Sequence, residues 1–233
     1  MKRFVRGMSA ALLLALALAA VGAQEFDDDD WVRYSSLCVA FPIVNREVDI
    51  DGTDVDFEGN CYAFDYSAHH VKGSGGFTVL ARCGFGYLDG NFGIEDYEED
   101  FDGFSTYFKL GFGKAFELAD RRVAIIPTGG VGIILDLLNV SRTEVWGGSS
   151  GEYEDETDFF AFDVTVDLFL NVMASFMFSE NFGLTASCEI STSAFGIGYL
   201  NGNGMTATNG EFYSPNIFAG VSFTPAVGIC LRF

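Results

Sequence analysis

The stretch that decides the fold is residues 160–178, FAFDVTVDLFLNVMASFMF, in which every even-numbered residue is apolar. The odd-numbered residues include Asp163, Asp167 and Asn171, whose spacing of four would also suit a helix. A helix would spread the even-numbered apolar set around its whole circumference, whereas a strand places that set on one face. The β-branched and aromatic content favours the strand. The stretch therefore predicts a β-strand with one apolar face and one more polar face.

Seven further segments show the same alternation or a weaker form of it. In the last segment the odd-numbered residues from Ile217 to Phe233 are apolar, and the even-numbered residues after Phe218 are small or polar. Alternation between turn signals is typical of strands. The sequence predicts eight strands, at about 31–43, 60–70, 76–88, 104–116, 122–137, 158–178, 182–199 and 215–233.

The connections between these predicted strands are alternately long and short. The long connections are 44–59, 89–103, 138–157 and 201–214, and the first three, with Asp158 at the edge of the third, hold 19 of the 33 acidic residues. Long outer loops that alternate with short periplasmic turns are typical of outer-membrane β-barrels. We therefore expect an all-β fold, an eight-stranded antiparallel up-and-down transmembrane β-barrel with acidic surface loops and both termini on the periplasmic side.

The two faces of the strands predict which side of the barrel meets lipid. One face is built of bulky Phe, Leu, Val and Ile, and the other of Gly, Ser, Thr and a few charged residues. An eight-stranded barrel has an interior just wide enough to be filled by side chains, which suits the small polar set. The bulky set then points outward and needs lipid around it. We expect a monomer in the bacterial outer membrane, with outer-membrane lipid as its surroundings.

The N-terminus has the pattern of a secretory signal peptide. Lys2, Arg3 and Arg6 precede an apolar run of 12 residues, and Val21 and Ala23 occupy the small-residue positions of a cleavage site. The run is too short to span a membrane as a helix. The expected organisation is a signal peptide at 1–23, an acidic leader at 24–30 and the transmembrane β-barrel at 31–233.

Charge and cysteine usage exclude several classes of function. The formal net charge is −20, and three of the 13 basic residues belong to the predicted signal peptide. Nucleic-acid binding needs a basic footprint, which this sequence lacks. The five cysteines, Cys38, Cys61, Cys83, Cys188 and Cys230, are scattered singly, so neither a disulfide framework nor a zinc site is expected. We expect no cofactor.

Three stretches resemble the small eight-stranded outer-membrane proteins, the group of OmpX, the OmpA transmembrane domain and OmpW. Residues 126–132, IPTGGVG, match the P-x-x-G-x-G strand start of that group, 179–184, SENFGL, resemble its short polar turn, and 227–233, VGICLRF, resemble its terminal G-x-x-x-R-F. The Phe and Asp content is similar to that of the small barrels of spirochaetes. The resemblance implies that Val227, Ile229, Leu231 and Phe233 form an insertion signal for the outer-membrane assembly machinery.

Seven ionisable residues are predicted to point into the barrel: Asp65, Arg82, Lys109, Asp136, Asp163, Asp167 and Glu189. Buried charges must be paired to be tolerated. We interpret the set as a structural polar network in which Arg82 and Lys109 bridge carboxylates. The alternative is a narrow path that favours cations, because five carboxylates face two basic residues.

Candidate catalytic and metal sites are weak. His69 and His70 are the two histidines and lie beside a predicted short periplasmic turn, without an apparent Ser–His–Asp set, so no enzymatic activity is expected. The acidic stretch 49–56 lacks the spacing of a calcium loop, so no metal site is expected.

Three functional hypotheses remain. The first is a structural or surface role in which the acidic loops contact a host or environmental ligand. The second, from the OmpW resemblance, is a narrow channel for small hydrophobic molecules, which would need Leu80, Ile126, Ile134 and Phe169 to form an apolar tunnel. The third is a secreted lipocalin-like binding protein, which a mature chain soluble without detergent would favour.

Overall fold

The computed structural model describes residues 31–233 apart from 51–52, 74–75, 95–96, 120, 149–150, 203–210 and 216–217. The predicted signal peptide and acidic leader lie outside the described residues. The strands are β1 (Trp31–Ala40), β2 (Ile43–Ile50), β3 (Thr53–Lys72), β4 (Phe77–Ile94), β5 (Tyr97–Lys114), β6 (Phe116–Leu118), β7 (Val123–Gly148), β8 (Gly151–Met177), β9 (Phe182–Gly202), β10 (Glu211–Pro215) and β11 (Ser222–Arg232). Within the ranges that the structure describes, no helix is long and apolar enough to cross a membrane.

These strands form a closed ring of eight antiparallel barrel strands. β1 and β2 both pair with β3 and together make the first barrel strand. β5 and β6 make the fourth in the same way against β7, and β10 and β11 make the eighth against β9. The ring closes where β1 pairs with β11, from Tyr34 opposite Arg232 to Ala40 opposite Ala226. The predicted all-β barrel is confirmed.

Three of the predicted long loops are wrong, because most of their residues continue the strands. β2 pairs with β3 up to Ile50 opposite Thr53, and β4 pairs with β5 up to Ile94 opposite Tyr97. β7 and β8 remain paired as far as 148 and 151. The acidic composition suggested loops, but alternation continues through it, and Val44, Val48, Val55 and Phe57 are all buried. In the fourth connection, β9 extends to 202 and β10 begins at 211.

The outward face of the barrel is a broad apolar band. On β8 the even-numbered Leu170 and Phe176 are 71% and 51% exposed, whereas the odd-numbered Phe169 and Met173 are buried. Exposed aromatic residues flank the band at both ends. Those towards the short turns are Phe77, Phe112, Phe116, Phe176, Phe178 and Phe182, and those towards the long hairpins are Phe41, Tyr62, Tyr87, Phe160 and Phe162. Aromatic residues gather in this way at the two interfaces of transmembrane barrels.

The interior holds two apolar clusters, one at each end. The turn-end cluster consists of Tyr34, Val71, Ala115, Ala124, Ile126, Met173, Met177 and Cys230. The hairpin-end cluster consists of Cys38, Ala40, Val44, Val48, Val55, Phe57, Cys61, Ala63, Leu88, Phe101, Leu138, Val140, Ala161 and Ala226. The two clusters fill the ends of the barrel with side chains, as expected for eight strands.

The eighth barrel strand is interrupted between β10 and β11. Phe218 and Gly220 there have positive φ values of 59° and 76°. A Cβ at Gly220 would lie 2.4 Å from the Asn45 carbonyl oxygen on β2, so only glycine fits this close approach. The Phe218 amide still donates to the Ser193 carbonyl at 2.8 Å. The chain therefore bulges at this point without leaving the barrel wall.

Candidate functional site

The candidate site is the middle of the barrel interior, where polar and charged side chains lie between the two apolar clusters. The order along the strands shows this layer directly: on β7, Asp136 lies between Ile126 of the turn-end cluster and Leu138 of the hairpin-end cluster. The structure places Asp65, Arg82, Lys109, Asp136, Asp163, Asp167 and Glu189 in this layer, and each is at most 4% exposed. They form two separate groups.

The first group is centred on Arg82, and we call it the Arg82 group. Arg82 Nε donates to Asp65 Oδ2 at 2.6 Å, and Arg82 Nη1 donates to Glu189 Oε2 at 2.7 Å. The Lys109 ammonium donates to the other oxygen of Glu189, and the Tyr107 hydroxyl donates to Asp65. Two carboxylates therefore face two cations, and the group is neutral. Aromatic rings add to it, because the Lys109 Nζ lies 5.6 Å from the ring centroid of Phe169.

The second group is centred on Arg46, and we call it the Arg46 group. Arg46 Nη1 lies 2.9 Å from Asp136 Oδ2 and 3.8 Å from Asp163 Oδ2. Asp136 is also directly opposite Asp163 in the pairing of β7 with β8. The Thr165 hydroxyl donates to Asp163 at 2.9 Å, and the Ser193 hydroxyl lies 3.3 Å from Asp167. Three carboxylates here share one guanidinium, and Asp136 Oδ1 has no hydrogen-bond partner.

Sequence reasoning missed Arg46 and Tyr107. Arg46 falls in a stretch predicted as an acidic loop, so its charge was assigned to the outer surface. The signal that would have found it is the alternation Val44, Arg46, Val48, in which all three side chains are buried. Tyr107 shares the inward face of Lys109 on β5, but a search restricted to charged side chains passes over a phenol.

A small cavity lies between the two groups. Its volume is about 30 Å³, and Arg46, Tyr107, Lys109, Asp167 and Glu189 are among its lining residues. A water molecule needs roughly 10–15 Å³ of such space, so the cavity has room for about two waters. It has no room for an organic molecule of several heavy atoms.

The four residues predicted for an apolar tunnel do not line one continuous path. Leu80, Ile126, Ile134 and Phe169 are all buried. Ile126 belongs to the turn-end cluster, whereas Ile134 lines the small cavity. Phe169 stacks against the ammonium of Lys109 within the charged layer. The charged layer thus separates the apolar surfaces that a tunnel would need to join.

The other sequence candidates fall in different places. His69 lies near the end of β3, beside the short turn, but its ring is only 1% exposed and neither ring nitrogen has a hydrogen-bond partner. Among the described residues, no group of three His, Cys, Asp or Glu side chains is arranged to hold a metal ion. All five cysteines are free thiols, and Cys188 is exposed. The predicted assembly-signal residues point outward, with exposed fractions of 57%, 41%, 38% and 67% for Val227, Ile229, Leu231 and Phe233.

Polar contacts cross the turn end of the barrel near β6. The Tyr34 hydroxyl donates to Glu117, and Arg121 Nε lies 3.2 Å from the other oxygen of Glu117. Arg232 Nη1 reaches across from β11 and donates to the carbonyl of Arg121 at 2.7 Å. These contacts hold the turn beneath the turn-end cluster.

No protein-family model matches the sequence, and no curated protein matches it either. The fold is similar to that of solved bacterial outer-membrane proteins. A major outer membrane protein from Thermus thermophilus superposes with a TM-score of 0.51 at 11% identity, covering 87% of this chain and 99% of that one. Ail of Yersinia pestis gives 0.43 at 15% identity over 86% and 99%. OprG of Pseudomonas aeruginosa gives 0.49 at 10% identity over 88% and 95%. At these identities the similarity shows the fold alone.

Proposed function

We propose that the chain is an outer-membrane β-barrel protein whose wall anchors it in lipid and whose acidic hairpins contact partners outside the membrane. The observation that carries the proposal is the outward apolar band. Residues such as Leu110, Val131, Leu170 and Ile190 are between 47% and 71% exposed on the outer wall. A contiguous apolar surface of this extent is not tolerated in water. Lipid is the surrounding that matches it.

The interior supports an anchoring role over a transport role. The Arg82 group is neutral and pairs its charges at 2.6–2.7 Å, so it acts as a cross-brace between β3, β4 and β9. The described cavity beside it holds about two waters. We infer that the barrel is closed to sizeable solutes, and that the protein is neither an enzyme nor a general pore.

The hairpins beyond the wall carry the surface part of the proposal. Asp56, Glu58, Asp89, Asp100 and Asp102 are exposed on the strand extensions of β3, β4 and β5. Asp89 lies directly opposite Asp102, so like charges face each other across neighbouring strands. Such an arrangement costs stability and favours contact with a cationic partner. The partner class we propose is a positively charged surface or peptide from the host or the environment.

A reconstitution experiment tests the anchoring role. The refolded chain is expected to insert into phosphatidylcholine vesicles, to resist extraction by carbonate and to give no resolved single-channel openings in planar bilayers. A chain that stays in solution without detergent would instead favour the lipocalin-like binder. Well-resolved cation-selective openings would overturn the closed interior.

A binding experiment tests the surface role. The inserted protein is expected to bind an oligolysine peptide, and the combined variant D56N/E58Q/D89N/D102N is expected to lose most of that binding. The matched control is E180Q, because Glu180 is an exposed carboxylate in the turn at the opposite end of the barrel. Equal binding by the wild type and the four-residue variant would refute the surface role.

The second candidate, an OmpW-like channel for small hydrophobic molecules, has one observation in its favour. The hairpin-end cluster lines the interior with apolar side chains from Val44 to Val140. Binding of a fluorescent fatty acid or naphthalene probe to the reconstituted barrel would support it, provided that the variant Leu88→Trp no longer binds the probe. Leu88 is a fully buried member of this cluster.

A further inference from the structure

Basic side chains are distributed unevenly around the turn end of the outer wall. Arg33 on β1 has the same orientation as the exposed Leu37 and Val39, so it points outward. By the same alternation, Lys72 on β3 and Lys114 on β5 point outward, and both are exposed. On the described outward positions of β7, β8, β9 and β11 at this end there is no basic residue. The barrel therefore has one basic side in the plane of the membrane.

Two of these cations form a compact patch with aromatic neighbours. Arg33 is directly opposite His70, and Trp31 is directly opposite Lys72, in the pairing of β1 with β3. Arg33 and Lys72 are thus diagonal neighbours, about 7–8 Å apart at their Cα atoms. Arg33 Nη2 donates to the Tyr66 hydroxyl at 2.6 Å, which orients the guanidinium along the wall. We call Trp31, Arg33, Tyr66, His70 and Lys72 the basic rim patch.

One hydrogen-bond donor of the basic rim patch has no acceptor among the described residues. Arg33 Nε is buried from solvent and has no hydrogen-bond partner. Within the described part of the chain, no carboxylate lies within ion-pairing distance of Arg33 or Lys72. A guanidinium at an apolar boundary is costly unless a counter-charge compensates it, and none of the described carboxylates does so here. An anion from outside the protein would supply the missing charge, and it would approach the terminal nitrogens of Arg33 because Nε is closed to solvent.

The surroundings of the patch indicate which anion it takes. The exposed Leu37 and Phe64 lie next to it on the same strands, at 54% and 58% exposed. A ligand here would therefore have apolar chains beside its charged group. The planar fork of an arginine matches the oxygens of a phosphate, and an ammonium such as that of Lys72 binds the same group as a point charge. Trp and Tyr at this level suit the headgroup region.

We propose that the basic rim patch binds the phosphate of an anionic phospholipid, with Arg33 as the principal donor and Lys72 as the second cation. The proposal rests on the membrane location proposed above and adds a lipid preference and a place for it. Lys114 extends the basic side by two strands, about 10 Å further round the wall. The phospholipid would order its acyl chains along β1 and β3.

Lipid retention measures the proposed site directly. The refolded full-length protein is exchanged into a mild detergent with equal amounts of phosphatidylglycerol and phosphatidylcholine, and retained lipid is counted by native mass spectrometry. The wild type is expected to retain phosphatidylglycerol preferentially. Each basic side chain near a lipid headgroup contributes about 1 kcal/mol, so R33Q and K72Q should each weaken retention about five-fold. The matched control R122Q, an exposed arginine in the turn after β6, should leave retention unchanged.

Several outcomes would overturn the lipid site. They are equal retention of the two lipids by the wild type, an equal loss in R122Q, and displacement of the lipid by free glycerol phosphate at the same concentration. The last outcome would identify a site for soluble phosphate. K72Q changes an exposed residue at a strand end and should fold normally, so lipid retention can still be tested with it if R33Q folds poorly. A barrel that inserts into phosphatidylcholine vesicles but shows no preference refutes this inference and leaves the membrane anchor intact, whereas failure to insert refutes the anchor.

Discussion

Arg82 Nη1 lies 2.7 Å from Glu189 Oε2 across the barrel interior, although the two residues are 107 positions apart in the chain. β4 and β9 are not paired with each other, so this is not a contact between neighbouring strands. The contact exists because the ring is closed and narrow. It ties opposite parts of the wall together through a single guanidinium.

The first prediction concerns the loss of that guanidinium. Asp65 and Glu189 both accept hydrogen bonds from Arg82. R82Q therefore leaves two buried carboxylates without the charge of the guanidinium. Breaking a buried ion pair typically costs about 3–5 kcal/mol. The free energy of unfolding in urea, measured in lipid vesicles, should fall by about that amount. The control R121Q removes a surface pair with Glu117 and should cost about 0–1 kcal/mol; equal losses in the two variants would contradict the cross-brace.

The second prediction concerns the excess of carboxylates around Arg46. D163N removes one of two aspartates that lie directly opposite each other on β7 and β8. Relief of like-charge repulsion should leave stability unchanged or raise it by about 0.2–1 kcal/mol. R46Q should instead destabilise the barrel by about 3–5 kcal/mol, because three buried carboxylates lose their cation. The two variants are compared by urea unfolding at neutral pH, and a loss in D163N as large as that in R46Q would show that Asp163 is essential to the pairing.

The third prediction concerns the lipid-facing wall. Leu170 is 71% exposed on the outer wall, midway along the chain between the exposed Phe162 and Phe178 that flank the apolar band. An arginine near the bilayer midplane of a barrel costs about 2–4 kcal/mol, so L170R should lower the unfolding free energy in vesicles by that amount. N139R is the control, because Asn139 is exposed on the strand extension opposite Asp102 and should cost little. If L170R leaves the unfolding free energy unchanged, this face of β8 meets water rather than lipid.

The fourth prediction concerns thiol reactivity. Cys38, Cys61, Cys83 and Cys230 are buried, and Cys188 is exposed on the outer wall. A small apolar maleimide should therefore label one thiol in the folded protein in detergent and five after denaturation. C188S should show no fast labelling when folded. Rapid labelling of Cys38, Cys61 or Cys230, which belong to the interior clusters, would mean that the interior opens to reagents.

The fifth prediction concerns the strand extensions. β2 and β3 are paired to residues 50 and 53, so the amides of 44–49 and 54–59 should exchange slowly with deuterium. The comparison is a synthetic peptide of residues 44–59, whose amides should exchange at the rates of an unstructured chain. Equal rates in the protein and the peptide would restore the loop that the sequence suggested.

Much of the fold could be predicted from the sequence because strand periodicity is local. The alternation in 160–178 assigns a face to each residue without knowledge of any neighbour, and Phe169 and Leu170 take the buried and exposed positions that it gives. The limits of the strands were harder to predict. Acidic residues such as Asp56 and Glu58 suggest a loop, yet backbone pairing does not depend on side-chain charge when the charged face is solvated.

The sequence by itself determined the strands, their apolar outward face and the inward position of the charged residues, because all three follow from a period of two along single strands. Only the tertiary structure decided which charges meet. Closure of the ring joins Arg82 to Glu189, and it joins Arg46, at the far end of the first barrel strand, to Asp136. The register of neighbouring strands places Arg82 beside Asp65 and sets Arg33 diagonally from Lys72 on the outer wall. The physical reason is that cross-strand register and contacts across the interior depend on how eight strands close, and no single strand carries that information.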